Sequence, residues 1–142
     1  MWVRAATIVP VPIGVLTEGV SQLSTERLAT LVQAASHDAS HLRVHLGSPV
    51  LSDHVTTFHL RWWNDRNRSL TPALDGELEL RWLDATTTRM AITAQYRCHE
   101  LLRELGDTIF LRRVAESVLA AFVDSLQSEL QASAPALAGH RS

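Results

Sequence analysis

The chain has 142 residues, 46% hydrophobic and 20% charged, which fits one globular domain that buries about two-thirds of its unfolded surface and leaves room for a modest cavity. A formal net charge of −2 argues against electrostatic capture of nucleic acid as the main activity, because that binding needs clustered cations against phosphates. All thirteen basic residues are arginine, a bias given no functional weight, and the lone Cys98 rules out an intrachain disulfide and leaves a metal site to His and carboxylates.

From Trp2 to Ile13 the residues are β-branched and apolar, with Pro10 and Pro12 near the exit, and read as a first strand ending at Gly14. A short helix is expected from Val15 to Leu23. The next is better marked: Ser24 stands at the N-cap, Glu26 in the positive first turn, and Leu28, Leu31, Val32 and Ala35 share one face. Leu42, Val44 and Leu46 alternate with Arg43 and His45 in a strand that ends at Gly47-Ser48-Pro49. A third strand runs from about His54 to Trp63, with Phe58, Leu60 and Trp62 on one face and Thr57, His59, Arg61 and Trp63 on the other. After a turn over Asn64–Ser69, Leu78, Leu80 and Trp82 alternate with Glu77, Glu79 and Arg81. Beyond Thr86-Thr87-Thr88, Met90, Ile92, Ala94 and Tyr96 alternate with Arg89, Thr93 and Gln95, so both strands have one wet and one dry face.

Between Cys98 and Gly106 the pattern is helical or irregular, and Asp107 or Thr108 caps the last helix. Its stripe of Leu111, Val114, Ala115, Val118, Phe122, Leu126 and Leu130 predicts an amphipathic helix ending near Gln131. The domain is expected over 1–132, followed by a disordered Ala-, Pro-, Gly- and Ser-containing tail over 133–142. The N-terminus lacks a basic segment leading into an apolar one, and no apolar run approaches the ~18 residues of a membrane span. A soluble cytoplasmic protein is expected, a monomer or homodimer without a cofactor.

This order defines an α+β class: a curved antiparallel sheet wrapped around a long C-terminal helix, with two short helices after the first strand. It resembles the START-related (SRPBCC, helix-grip) superfamily, which includes lipid-transfer domains, plant pathogenesis-related ligand binders and bacterial polyketide cyclases, and above all its small actinobacterial members. The resemblance rests on Leu60-Arg61-Trp62, on Pro72-Ala73-Leu74-Asp75-Gly76-Glu77-Leu78-Glu79-Leu80, on Tyr96-Arg97, and on Leu111-Arg112-Arg113-Val114-Ala115-Glu116-Ser117-Val118 with Phe122. It covers most of the chain after Leu42. One departure is the segment from Cys98 to Gly106, which stands where relatives carry a Pro- and Gly-rich loop at the pocket entrance.

In such a fold the dry face and the last helix line an apolar pocket. The ligand-binding candidates are Phe58, Leu60, Trp62, Leu80, Trp82, Met90, Ile92, Tyr96, Phe110, Val114, Val118 and Phe122. The same residues at the same spacing also build a solid core. The polar tips of Trp and Tyr tilt the balance toward a pocket, since each wants a partner when buried. The leading expectation is a binder of a lipid, polyketide or other hydrophobic small molecule, with no catalytic residue assigned. An aromatase/cyclase-like enzyme is the alternative and needs His59, Arg61 or Tyr96 to point inward beside a deep pocket. His99 is a further titratable candidate. A non-catalytic partner-binding module using a sheet edge or the last helix is the third reading.

The remaining clusters read as structural. His37, His41 and His45 recur every four residues, but His45 belongs to a strand and Asp38-Ala39-Ser40 breaks the run, so no metal site is expected. Asp75 and Glu77 fit a turn and a wet face. The arginines at 61, 66, 68, 81, 89 and 97, interspersed with Asp65, Glu77, Glu79 and Asp84, suggest cross-strand charge pairing.

Overall fold

The computed structural model describes residues 2–36, 42–64, 73–97 and 108–139. Strand β1 (Trp2–Val9) leads into helices α1 (Ile13–Ser21) and α2 (Thr25–Ser36), then strands β2 (Leu42–Leu46), β3 (Val50–Ser52), β4 (Val55–Asn64), β5 (Ala73–Asp84) and β6 (Thr87–Arg97), and finally helix α3 (Thr108–Gly139). The strands form one antiparallel sheet in the order β1-β6-β5-β4-β2, with β3 paired to β4 off that path. The three described helices pack on the sheet, and α3 also packs against α1 and α2. This is the α+β helix-grip architecture expected from the sequence.

Period-2 alternation sets the faces. Even-numbered residues of β4, β5 and β6 point inward, and Phe58, Leu60, Trp62, Leu74, Leu78, Leu80, Met90, Ile92, Ala94 and Tyr96 are all buried. In β1 the odd positions Val3 and Val9 are buried while Trp2 and Ile8 are exposed on the outer face. From α3, Ala115, Leu119, Phe122, Val123, Leu126 and Leu130 join a core completed by Val15, Leu16 and Val20 of α1 and Leu28, Leu31 and Val32 of α2. Two threonines on the inner face find partners: Thr88 Oγ1 donates to the Val11 carbonyl at 2.7 Å, and Thr7 Oγ1 to Gln127 Oε1 at 3.0 Å.

Local chemistry explains the element ends. Pro10 and Pro12 stop β1 at Val9, earlier than the expected Ile13, and Pro12 becomes the residue before α1. The Arg27 amide donates to Ser24 Oγ at 3.0 Å, the cap expected for α2. Strand β3 is an addition to the expected elements; it turns into β4 through Asp53 and His54, the latter at φ 60°. The helix α3 runs past Gln131 and through the region expected as a tail, as far as Gly139. Ala132, Ala134, Ala136, Leu137 and Ala138 are strong helix formers and carry the backbone past Pro135.

Gly76 governs how closely β5 and β6 approach. A Cβ there would lie 2.2 Å from the Thr93 carbonyl oxygen and 2.5 Å from Ala94 Cβ, whereas opposed Cβ atoms in regular sheets stand about 4.5–5.5 Å apart. Gly76 has the inward parity of Leu74 and Leu78, so the two strands are pressed together on their inner side, as when a sheet bends toward that face. Gly76→Ala is therefore expected to destabilise by about 3 kcal/mol, read as a lowered urea midpoint. An unchanged midpoint would show that the strands separate freely here.

Helices α2 and α3 are tied by a bidentate ion pair, with Arg27 Nε donating to Glu129 Oε1 at 2.8 Å and Nη2 to Oε2 at 2.6 Å. The hydrogen bonds and the guanidinium charge hold the Glu129 carboxyl below its ordinary range, against an opposing desolvation effect. Stability from this depressed pKa is complete above the unfolded value and lost as pH falls through the folded one. Glu129→Gln should accordingly flatten the acid limb of a melting-temperature profile while lowering its neutral plateau.

Candidate functional site

The expected pocket wall divides into three groups. Phe58, Leu60, Leu80, Met90 and Ile92 are packed into the central core. Trp62, Tyr96 and Phe122 gather toward one end of the sheet: Trp62 meets Phe122 edge-on at 5.2 Å between ring centroids and 65° between planes. Such a pair is worth about 0.5–1.5 kcal/mol beyond its area. On α3, Val114 is half-buried, while Val118 is buried but stands outside the contiguous core cluster of described residues. The side chain of Phe110, together with His99 and the whole Cys98–Gly106 segment, lies outside the described residues.

Trp82 stands apart from these. It has inward parity, yet it is 41% exposed and lies 5.1 Å from the His54 ring. Its backbone amide donates to the carbonyl of His54 at the end of the β3–β4 turn, and the ladder shifts register between Trp82 and Asp84. Alternation assigned its face correctly but not its distance along the strand, which places it at the hairpin end of the sheet. The turn itself is set by Asp84, whose Oδ1 accepts from the Thr86 amide at 2.9 Å and the Thr86 hydroxyl at 3.1 Å. Hydrogen bonds from Thr86 and Thr87 hold this carboxyl below its ordinary range.

The unusual atom at the Trp62 end is its own Nε1. Trp62 is 1% exposed, and this indole N–H finds no acceptor among the described residues. A buried donor without a partner forfeits about 1–3 kcal/mol of hydration. At the same end of the sheet, a 260 Å³ depression is lined by Arg61, Trp62, Trp63, Ala73, Leu74, Asp75 and Gln95. Five of these seven residues, Arg61, Trp63, Ala73, Asp75 and Gln95, have outer-face parity, so the depression opens on the outer face of the sheet.

Two of the titratable candidates, His59 and Arg61, lie on the opposite side of the sheet from the core. His59 is exposed and its Nε2 lies 2.7 Å from Asp75 Oδ1, with the His45 ring 6.1 Å away. The Arg61 guanidinium stacks over Trp63 at 4.6 Å. Neither His59 nor Arg61 meets the inward requirement of the enzyme reading; Tyr96 does, at 4% exposure. Arg81 bonds Glu79 two residues away on its own strand at 2.9 Å, although cross-strand pairing was expected, and it faces Arg89 across the ladder. Of the other expected charge pairs, Asp65, Arg66 and Arg68 lie outside the described residues. Among the described residues no group of three His, Cys, Asp or Glu is placed to hold a metal, and His37 and His41 fall outside them. No described helix is long and apolar enough to cross a membrane.

Sequence reasoning missed Leu119 and Val123, which are buried on α3, because a ladder drawn at four-residue spacing traces a narrower arc than the one this helix buries. It also missed the stacking of Arg61 on Trp63, for which the signal was their two-residue spacing on one strand face.

No family model and no curated protein matches the chain. Solved structures do. A hypothetical protein, jhp0584, from Helicobacter pylori is 10% identical, with 90% of this chain and 86% of that one covered and a TM-score of 0.54. TTHA0849 from Thermus thermophilus is 13% identical over 94% and 99%, at a TM-score of 0.49. The Zhui aromatase/cyclase from a Streptomyces species is 13% identical over 94% of each chain, at 0.48. At such identities likeness speaks to fold alone. Among the described residues, six antiparallel strands, two helices inserted after the first, and a long closing helix give this chain a helix-grip fold.

Proposed function

We propose that the protein binds an amphipathic small molecule, mostly apolar and carrying at least one hydrogen-bond acceptor, between the inner face of the sheet and the N-terminal half of α3, without transforming it. The observation that carries this reading is the buried, unpartnered Nε1 of Trp62. A solid core would favour Phe or Leu at that position, since an unmet donor costs free energy that an apolar residue would not. A lipid carbonyl or a polyketide oxygen supplies the missing acceptor, and Phe122, Val114 and Val118 supply apolar surface beside it.

The central core restricts where such a ligand sits. Phe58, Leu80, Met90 and Ile92 are no more than 1% exposed and packed together, so the binding space belongs to the Trp62–Tyr96 end. Passive binding is favoured over catalysis because His59 and Arg61 face outward. The cyclase-like alternative rests on Tyr96, which does face inward.

Native mass spectrometry of the protein purified from its own host, with extraction of whatever is retained, is the direct test. A stoichiometric apolar adduct is expected. Bare protein, with no thermal shift across a lipid and polyketide panel, would overturn the proposal. With a ligand in hand, Trp62→Phe should weaken binding about 3- to 10-fold, the worth of one hydrogen bond, while the ligand-free melting temperature holds or rises. Tyr96→Phe should leave a passive carrier's affinity nearly unchanged, and a loss of turnover in that variant would instead establish the enzyme.

A further inference from the structure

We propose that two copies of the chain pair through their β1 strands, antiparallel and about a two-fold axis at Ala5, to form one continuous sheet. Strand β1 is an end strand of the sheet among the described residues. Which of its residues present backbone groups to that free edge follows from the ladder. The Trp82 amide donates to the His54 carbonyl at 2.8 Å, so even residues of β5 bond toward β4 and odd ones toward β6. Carrying the alternation through the unbroken registers of β5 with β6 and β6 with β1 turns the odd residues of β1 toward β6. Trp2, Arg4, Ala6 and Ile8 are left with N–H and C=O directed outward. The Gln127 side-chain amide, which donates to the Ile8 carbonyl at 3.4 Å, agrees with that direction.

Two such edges must bring even residues opposite even residues. The register that uses the whole strand sets Trp2 against Ile8 of the second copy and Arg4 against its Ala6, each pair exchanging two hydrogen bonds. It is also the register that hides the strand's two most exposed apolar side chains, since Trp2 and Ile8 are each 60% exposed on the same outer face. Symmetry repeats the contact, so both ends of the seam bury an aromatic against a β-branched residue. An exposed edge with apolar ends is the feature that natural sheets otherwise blunt with charge or cover. Among the described residues the side chain of Gln127 lies across it, held also by Thr7 Oγ1, and it must release the Ile8 carbonyl. The two copies of Arg4 lie diagonally across the axis, so added salt favours association.

Sedimentation velocity over a wide concentration range, in low and high salt, provides the test. A reversible monomer–dimer equilibrium is expected. Ile8→Lys and Trp2→Lys should each weaken it by at least about 10-fold while leaving the melting temperature of dilute protein unchanged, and Gln127→Ala should strengthen it. In a Cys98→Ser background, Ala5→Cys should cross-link on mild oxidation, because a residue on the axis meets its own copy at about 4.5 Å between Cα atoms. Thr7→Cys, off the axis, should not. A monomer at every concentration, a dimer indifferent to both lysine variants, or preferential cross-linking through Thr7→Cys would overturn the inference.

Discussion

The close approach of β5 and β6 at Gly76 is the constraint on which the architecture turns. With no Cβ at that position the inner sides of the two strands close up, the arrangement a ladder adopts when it bends toward its inner face. Residues on either side depend on it. Leu74 opposes Tyr96 and Trp62, whereas Leu78 opposes Ile92 and Phe58. Gly76 itself sits between Leu60 and Ala94, so the tightest point of the sheet lies between its filled centre and the end where Trp62 keeps an unmet donor. A residue without a side chain thus separates a region that supplies stability from one that retains an unsatisfied group.

The helices complete that division. α1 and α2 cover the inner face from the side of β5 and β2, and α3 crosses over β1 and β6. The Arg27–Glu129 clamp fixes α2 to the C-terminal half of α3. Packing on α3 is continuous from Leu119 to Leu130, whereas Val114 is only half-buried and Val118 lies outside the main cluster.

Much of this was legible in the chain. Alternation in β4, β5 and β6 gave the inward residues with correct parity because a half-buried strand has no other way to place apolar groups. Ser24 announced α2 because an N-cap serves a local need that tertiary context rarely overrides. Other features were illegible for equally physical reasons. Val50-Leu51-Ser52 is too short and too exposed to show a period, with Val50 at 67% and Leu51 at 71% exposure. Trp82 shows that periodicity fixes a face and is silent on how far along the strand the covering helices extend. His59 and Asp75 come together only through the β4–β5 register, which pairs His59 with Glu77 and leaves Asp75 on the diagonal. No spacing in one strand encodes such a contact.

The distribution of indoles has a spectroscopic consequence. Trp2 and Trp82 are exposed and Trp63 is half-buried on the outer face, which leaves Trp62 as the single fully enclosed fluorophore, edge-on to Phe122. Emission from the folded protein is then a sum of a dominant water-relaxed component and a minor blue one. The red edge of the spectrum reports the sheet's outer surface and its hairpin tip, and the blue edge reports the interior. A change confined to the blue edge is the optical mark of an event at the junction of sheet and closing helix, separable by wavelength alone from anything that happens on the outside.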